Sequence, residues 1–349
     1  MPMIVPGTAK RSEVDKAGAA PDVASRIACQ LEASVPELAG VKSLRRLTGG
    51  SSHETWAFDA RLGGATEFTP LILRREFELA LFEMPLATEF ELVRMLRRSG
   101  FPVPEPHFVS TSASGTEAPF MVMERVAGLD TRKAMAANPA PGERRAIAAA
   151  LVDALAALHG LPIAPFGELL GIGTPAGELE KWQAIVLGSG CPSAALRLAV
   201  AWLEQRCPPV AEQVIVHGDF KANNVLLRQP EQPVVIDWEL AHLGDRLEDL
   251  AWTMLWTTRD DIVGGMLTPA AFLAEYERAS GHSVDRDRLH FWKVFALVKL
   301  AAIFLKGLEP GPTPRAPRPM LLMLAQALPC IEEALAALLS DAPRWELAP

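Results

Sequence analysis

Cysteine is scarce in this chain, and no pattern gives it a role. The 349 residues contain four cysteines, without a CxxC pair or a histidine at metal-ligand spacing: Cys29, Cys191, Cys207 and Cys330. Such scattered thiols indicate neither a disulfide framework nor a zinc site. No HExxH motif or histidine cluster supports a metal-dependent hydrolase, and no GxSxG turn lies in the strand-turn-helix context of an esterase.

Long apolar runs and clustered positive charge are also missing. The most apolar helical stretch, residues 294–305, is interrupted by Lys299 and is too short to span a bilayer. The N-terminus lacks the apolar segment of a signal peptide. The formal net charge is -8, whereas a nucleic-acid surface needs clustered Lys and Arg. We therefore expect a cytoplasmic protein that binds neither membrane nor nucleic acid; the sequence does not indicate its oligomeric state.

The pattern that remains divides the chain into two unequal parts. Residues 1–22 are small, polar and unpatterned, and are expected to form a loose tail. Residues 23–126, the expected N-lobe, begin with a helical pattern at Ile27 and Leu31. Alternating apolar runs with glycine turns then predict antiparallel strands, with a second helix over residues 85–100. Amphipathic helices dominate residues 127–349, the expected C-lobe, with the boundary near Gly128. The predicted fold class is α+β.

The most informative stretch is VIVHGDFKANNVLL, residues 214–227, followed by VVIDWEL. Two short β-branched runs enclose a polar loop, and a loop held between strands can present side chains to a cleft. Asp219 offers a carboxylate that can accept a hydroxyl proton. Asn224 and Asp237 offer oxygen ligands of the kind that hold Mg²⁺. The alternative is that all three are ordinary turn residues.

A carboxylate also falls on the inner face of a predicted helix, PLATEFELVRMLRRSG. Glu89 shares its helical stripe with Leu86, Val93 and Leu96. A buried carboxylate there requires a cation or water. The run LILRRE offers Arg74 or Arg75, and strand parity alone does not choose between them.

These motifs carry a resemblance to a known family. H-G-D-x-x-x-x-N followed by I-D-W-E resembles the aminoglycoside phosphotransferase family of the protein-kinase-like superfamily. The later run FWKVFALVKLAAIFLKG resembles most the kinase-like domains fused to some acyl-CoA dehydrogenases. The resemblance covers roughly residues 40–310 and implies a bilobal fold, with an antiparallel N-lobe sheet plus one helix and a mostly helical C-lobe.

The resemblance implies a role for each motif. Asp219 becomes the catalytic base, Asn224 and Asp237 the Mg²⁺ ligands, and His217 and Asp249 supports of the loop. It favours Arg74, paired with Glu89, as the cation that holds the ATP phosphates. The phosphate-covering turn would be Gly49, Gly50, Ser51 and Ser52, and adenine would bind the Glu124 carbonyl and the Val126 N–H. The Arg74–Glu89 pair as a purely structural ion pair stays open, as do the roles of Glu239 and His53.

Two departures from protein kinases narrow the expected substrate. Gly218 replaces the kinase Arg that pairs with an activation-loop phosphate, so that switch is absent. Asp237-Trp238-Glu239 lacks the mobile glycine, and a helical pattern resumes within about a dozen residues, which leaves little room for a peptide-docking segment. Both features predict a small-molecule kinase.

The expected reaction transfers the γ-phosphoryl group of ATP to a hydroxyl group of a small molecule. The dehydrogenase-fused relatives suggest a hydroxyacyl thioester or another hydroxylated metabolite as acceptor. Two alternatives remain, an aminoglycoside-type antibiotic phosphotransferase and a nucleotide-binding pseudoenzyme without turnover. Residues 160–205 and 255–349, the expected acceptor region, are rich in Ala, Leu and Pro, which disfavours a polycationic acceptor.

Overall fold

The structure is a computed structural model that describes residues 23–47, 53–76, 84–111, 119–255, 266–307 and 319–340, with side chains omitted for 319–326. The expected tail at 1–22 lies outside these residues. Structure starts at helix α1 (Val23–Ser34), whose Ile27 and Leu31 are buried.

A five-stranded antiparallel sheet forms the first part of the chain. Its strands are β1 (Leu38–Arg46), β2 (His53–Leu62), β3 (Thr69–Glu76), β4 (Pro106–Ser110) and β5 (Phe120–Glu124), in the order β1-β2-β3-β5-β4. In the centre, β3 pairs with β2 and β5, so that Leu73 lies opposite both Trp56 and Val122. Strand β4 is not predicted from the sequence, because it begins in a proline-rich run and proline, which lacks a backbone N–H, usually argues against a strand.

Helix α2 (Leu86–Arg98) packs beside this sheet. It ends at Ser99, whose N–H caps the last turn, and Gly100 follows with a φ of 80°. Its buried side chains are Leu86, Glu89, Leu92, Val93 and Leu96. The inward position of Glu89 that the helical stripe predicts is thus observed.

Helices dominate the rest of the chain. They are α3 (Thr131–Ala136), α4 (Pro141–His159), α5 (Gly167–Leu170), α6 (Pro175–Gly188), α7 (Ala194–Arg206), α8 (Arg246–Thr253), α9 (Pro269–Ser280), α10 (Arg286–Lys306) and α11 (Pro319–Ser340). Periodicity predicts helices over residues 192–206, 270–281, 287–306 and 319–339, and α7, α9, α10 and α11 agree with them within two residues. It misses α3, α5 and α6, although Leu179 and Trp182 of α6 are buried. Helix α10 has buried residues around most of its circumference, which explains why its residues 294–305 are apolar except for Lys299.

Two small sheets support the polar loop. Strand β7 (Gln213–Val216) pairs with β10 (His242–Asp245), while β6 (Leu129–Asp130), β8 (Val225–Leu227) and β9 (Pro233–Val235) form the other sheet. Residues 217–224, hereafter the HGD loop, connect β7 to β8. The loop is therefore anchored at its two ends in different sheets, and the α+β class with an antiparallel sheet and a helical C-terminal part is confirmed.

Among the described residues, no single helix is long and apolar enough to cross a membrane. One bent pair, Pro141–His159 with Ala164–Gly188, passes the test of length and composition only when joined across a bend of 73°. Both helices contribute buried side chains, Leu151 and Trp182 among them, to the main hydrophobic core.

Candidate active site

The HGD loop begins with a buried histidine whose two ring nitrogens are bound to backbone atoms. His217 Nδ1 accepts from the N–H of Asp219 at 3.2 Å, and Nε2 lies 3.1 Å from the carbonyl oxygen of Ile236. Burial lowers the pKa of His217, so the neutral ring accepts at Nδ1 and donates from Nε2. Both nitrogens are thereby occupied in fixing the loop, as the sequence predicts for an orienting histidine.

Gly218 adopts a backbone conformation that requires glycine. Its φ is 79°, and a Cβ added there would lie 2.4 Å from the carbonyl oxygen of Leu240. A side chain of any kind would collide with the segment after β9. The glycine that distinguishes this loop from the kinase H-R-D is therefore also a packing requirement.

Asp219 is held through both carboxylate oxygens. Oδ2 accepts from Asn224 Nδ2 at 2.8 Å. Oδ1 accepts from the indole Nε1 of Trp252 at 2.8 Å and pairs with Lys221 Nζ at 2.9 Å. The side chain is buried to all but 13% of its surface, so the carboxylate has one orientation and a narrow opening to solvent.

Asp249 on α8 braces the HGD loop by binding its backbone. Its carboxylate is fully buried and accepts from the N–H groups of His217 at 2.7 Å and Gly218 at 2.9 Å. Burial acts to raise its pKa, but hydrogen bonding and charge from His159, with the contacts to His217, outweigh that effect and lower it. The structure thus places Asp249 against the loop backbone, the supporting position that the sequence predicts.

The two arginines of β3 have different partners. Arg74 is buried and its Nη1 contacts Glu89 Oε1. The Nη2 of Arg74 donates to Asp237 Oδ1 at 2.9 Å. Arg75, more exposed, lies 3.9 Å from Glu54. Only Arg74 therefore faces the helix carboxylate and the segment after β9.

Besides Glu89 and Asp237, two more groups lie beside the Arg74 guanidinium, Glu239 and His53. Burial alone would lower the pKa of Arg74, but the carboxylates of Glu89, Asp237 and Glu239 raise it. His53 Nδ1 lies 3.1 Å from Arg74 Nη2 and 3.2 Å from Glu239 Oε2. Burial, and next the charge of Arg74, lower the pKa of His53. Glu239 is only 7% exposed, so of its two possible roles, a second metal contact or a solvated carboxylate, the structure excludes the second.

The backbone segments that carry Asp237 and Asn224 lie side by side. The N–H of Ile236 donates to the backbone carbonyl of Asn224 at 2.9 Å. Asp237 has a φ of 72°, which is unusual for a residue with a side chain, and its side chain is one-third exposed. Asn224 uses its Nδ2 for Asp219, so the amide oxygen is the atom left for a cation. This donor set fits Mg²⁺.

The predicted nucleotide-binding residues divide into described and undescribed groups. Glu124 ends β5, and its side chain bonds Arg228 and the N–H of Glu105. Val126 lies in the extended segment between β5 and β6. Gly49, Gly50, Ser51 and Ser52 lie outside the described residues.

Sequence reasoning missed several residues that contact the site. His159 and His242 have no recognisable ligand spacing, yet His159 Nε2 lies 3.2 Å from Asp249 Oδ2 and His242 Nε2 lies 3.0 Å from Glu248. Lys299, which contacts Gly218, interrupts an apolar run, and this interruption is the sequence feature that could have marked it as a residue of the site. The sequence pattern predicts mainly core packing for Trp252, yet its indole donates to Asp219. Its neighbour Trp256 and the acidic pair Asp260 and Asp261 lie outside the described residues.

The fold and the site define a protein of the kinase-like class. A carboxylate and an amide share one loop, a second carboxylate follows the next strand, and a sheet cation meets both that carboxylate and a helix glutamate. The sequence profile of the phosphotransferase enzyme family matches residues 43–292. The chain belongs to this phosphotransferase enzyme family, as its motifs indicate.

Individual proteins show the same relationship. Acyl-CoA dehydrogenase family member 11 of Gallus gallus is 29% identical over 291 residues, which are 76% of this chain and 36% of that protein. The chain thus spans about a third of the length of this relative. The resemblance to dehydrogenase-fused domains is confirmed.

Solved structures share the fold at low identity. A putative aminoglycoside phosphotransferase from Ralstonia eutropha superimposes with a TM-score of 0.67 at 22% identity, covering 92% of this chain and 99% of the other. Spectinomycin phosphotransferase in complex with ADP and spectinomycin gives a TM-score of 0.63 at 13% identity, with 91% and 99% covered. At these identities the likeness establishes the fold.

Proposed function

We propose that the protein is an ATP-dependent small-molecule kinase that transfers the γ-phosphoryl group to a hydroxyl group. The observation that carries this proposal is the contact between Arg74 on β3 and Asp237 after β9, 2.9 Å between Nη2 and Oδ1. It joins a buried cation on the sheet to a candidate metal ligand beside the HGD loop. A phosphate chain needs both groups together, because charge neutralisation and positioning supply most of the catalysis in phosphoryl transfer.

Arg74 would bind the phosphates through its guanidinium. Glu89 is 1% exposed and contacts Nη1, so it fixes the plane of the guanidinium group. The N–H of Trp238 donates to the same Glu89 oxygen at 3.2 Å. The helix glutamate therefore positions the cation of the sheet and the backbone after Asp237 at once. An arginine presents several N–H donors, which suits it to phosphate oxygens.

Asn224 and Asp237 would hold Mg²⁺, which when bound supplies charge neutralisation at the phosphate oxygens. The amide oxygen of Asn224 and the partly exposed carboxylate of Asp237 suit a hard cation. Asn224 also donates to Asp219 from Nδ2. A single amide thus links the proposed metal ligands to the proposed base.

Asp219 would orient the acceptor hydroxyl and accept its proton. The acceptor oxygen forms a bond to the γ-phosphorus while the bond from that phosphorus to the β,γ-bridging oxygen breaks, and ADP leaves with the electron pair. Oδ1 of Asp219 already accepts from Trp252 and Lys221, whereas Oδ2 accepts from Asn224 Nδ2. Oδ2 is therefore the oxygen with the unused lone pair for the proton.

The acceptor proposed first is the hydroxyl group of a hydroxyacyl thioester. The support is the match to acyl-CoA dehydrogenase family member 11 across 76% of this chain, since parts of one protein often act on one substrate class. The Ala-, Leu- and Pro-rich composition of the expected acceptor region agrees with an acyl chain better than with a polycation. Spectinomycin is bound by a protein of the same fold, which makes aminoglycoside-like acceptors the matched comparison set.

The experiment is a screen for acceptor-dependent ADP formation with ATP and Mg²⁺. Hydroxyacyl-CoAs, the corresponding acyl-CoAs without the hydroxyl, aminoglycosides and amino alcohols would be compared. We expect turnover with the hydroxyacyl-CoAs and none with the deoxy analogues. Turnover confined to aminoglycosides would move the acceptor assignment to the antibiotic class.

The Asp219→Asn variant is the control for the mechanism. It should lose turnover by about 10³-fold or more while ATP binding, measured by titration calorimetry, stays close to wild type. Wild-type protein that binds ATP but converts no acceptor would identify a nucleotide-binding pseudoenzyme. An Asp219→Asn variant with wild-type turnover would remove Asp219 from the mechanism.

A further inference from the structure

We propose that Trp252 is a positioning residue for the catalytic carboxylate of Asp219, an inference that rests on the proposed function. The indole Nε1 of Trp252 donates to Asp219 Oδ1 at 2.8 Å. Trp252 is on α8, one helical turn after Asp249. The same helix therefore braces the HGD loop backbone through Asp249 and the side chain of Asp219 through Trp252.

Among the described residues, three side chains contact the Asp219 carboxylate, and they differ in how firmly they hold it to the rest of the fold. Lys221 is 28% exposed and belongs to the HGD loop itself, so its contact moves with the loop. Asn224 belongs to the same loop and is a proposed metal ligand. Trp252 is 5% exposed and comes from a separate helix. It is thus the contact that fixes Asp219 relative to the rest of the fold, and a carboxylate held at Oδ1 keeps Oδ2 directed at the acceptor.

A buried lysine lies against the indole ring of Trp252. Lys299 of α10 is 1% exposed, and its Nζ lies 4.9 Å from the centre of the Trp252 ring. The same Nζ donates to the carbonyl of Gly218 at 2.9 Å and to Glu248 at 2.8 Å. A cation over the ring face strengthens the N–H as a donor. Lys299 therefore acts on both the residue before Asp219 and the indole that holds it.

The lysine is charged in this position. Burial alone would lower the pKa of Lys299, but Glu248, with Glu178 and Asp249, raises it. Glu248 is in turn shared with His242 at 3.0 Å. The cluster of Glu178, His242 and Glu248 therefore serves as a counter-charge for Lys299, and a metal ion there would be repelled by the lysine.

Core packing is the competing explanation for Trp252, and a matched variant separates the two. Trp252→Phe keeps an aromatic ring near Lys299 and removes the N–H. Trp292→Phe removes a buried indole donor of the same kind, since Trp292 Nε1 donates to Asp245 Oδ2 at 2.9 Å. Asp245 caps α8 and is not among the proposed catalytic residues. Both variants lose a buried hydrogen bond to an aspartate, but only one loses it from Asp219.

The test compares the steady-state kinetics of wild type, Trp252→Phe, Trp292→Phe and Asp219→Asn. For Trp252→Phe we expect kcat to fall by about 10- to 100-fold, because a hydrogen bond to a charged group is lost at the base. The KM for ATP should change by less than about twofold, since the phosphate contacts remain. Trp292→Phe should lose about as much thermal stability as Trp252→Phe, but its kcat should stay within about threefold of wild type.

Equal kcat values for Trp252→Phe and Trp292→Phe would overturn the proposal, as would a rise in the KM for ATP without a loss of kcat. A wild type without acceptor-dependent turnover would instead overturn the proposed function, and this inference with it. If Trp252→Phe does not fold, nuclear magnetic resonance of ¹⁵N-tryptophan-labelled protein decides. Asp219→Asn should then shift one indole N–H resonance strongly, and an unchanged set of indole resonances would refute the contact.

Discussion

The imidazole of His159, at the end of α4, lies 3.2 Å from the carboxylate of Asp249 on α8. The other ring nitrogen of His159 lies 2.7 Å from the hydroxyl of Tyr276 on α9. A chain of buried polar contacts therefore runs from α9 through α4 to the backbone of the HGD loop. Residues far apart in sequence fix the loop that carries the proposed base.

Asp249→Asn should destabilise the protein more than Tyr276→Phe. The Asn side chain keeps one oxygen acceptor for two backbone N–H groups and loses the charge, which should cost about 3 kcal/mol in the free energy of unfolding. Tyr276→Phe removes the hydroxyl that contacts His159, two steps from the loop, at a cost of about 1 kcal/mol. Urea unfolding of both variants measures the difference. Equal losses would contradict the bracing role of Asp249.

Gly218→Ala should disrupt the loop because two effects act together. The φ of 79° is unfavourable for alanine, and the new Cβ would lie 2.4 Å from Leu240 O. We expect a loss of about 3 kcal/mol in the free energy of unfolding and of most kcat. Gly281→Ala is the matched control, with a φ of 71° and, among the described residues, no neighbouring heavy atom within 4 Å of the added Cβ.

Gly281→Ala should lose only about 1 kcal/mol, the conformational part alone, and keep its activity. Chemical denaturation and initial rates of the two alanine variants give the comparison. If both variants lose the same stability, the close approach of Gly218 to Leu240 does not limit the loop.

The pair Arg74 and Glu89 allows structural and functional roles to be separated. Arg74→Met leaves Glu89, 1% exposed, as a buried carboxylate without its main partner, which should cost about 3–5 kcal/mol. The double variant Arg74→Met/Glu89→Leu removes the stranded charge as well and should recover a large part of that loss. Neither variant should support turnover, because the proposed phosphate-binding cation is absent in both.

Thermal melts and ATP titrations measure these two properties independently. A double variant that regains wild-type turnover would show that the ion pair is structural only. A double variant that is stable yet inactive would assign Arg74 to the nucleotide.

His242 should make stability fall in mildly alkaline solution. Burial alone would lower its pKa, but Glu248 and Glu178 raise it to about 9, from a model-peptide value of 6.5. The folded state therefore binds the proton more tightly, so this contribution is complete below pH 6.5 and is lost as the pH rises through 9. The difference corresponds to about 3 kcal/mol at most. The free energy of unfolding of His242→Gln should decline less over this range, and an unchanged slope would refute the assignment.

Much of this architecture is predictable because local pattern and burial agree. The inner face of α2, the antiparallel sheet and the long helices follow from periodicity, and the HGD loop follows from residue types at fixed spacing. The remainder depends on contacts across the chain. His159 and Asp249 are separated by 90 residues, and Lys299 contacts Gly218 from 81 residues away. No local sequence pattern predicts such pairs. Strand β4 is not recognised either, because it begins at Pro106.

Among the described residues, four contacts join the N-terminal sheet and α2 to residues 237–239: Arg74 with Asp237 and with Glu239, Glu89 with the N–H of Trp238, and His53 with Glu239. Separating these parts would leave Glu89 and Glu239, both buried, without the groups that compensate their desolvation. The sheet and the helical part are therefore coupled in unfolding, and opening one without the other is costly. The proposed nucleotide site thus lies at the contact that couples the sheet and the helical part in unfolding.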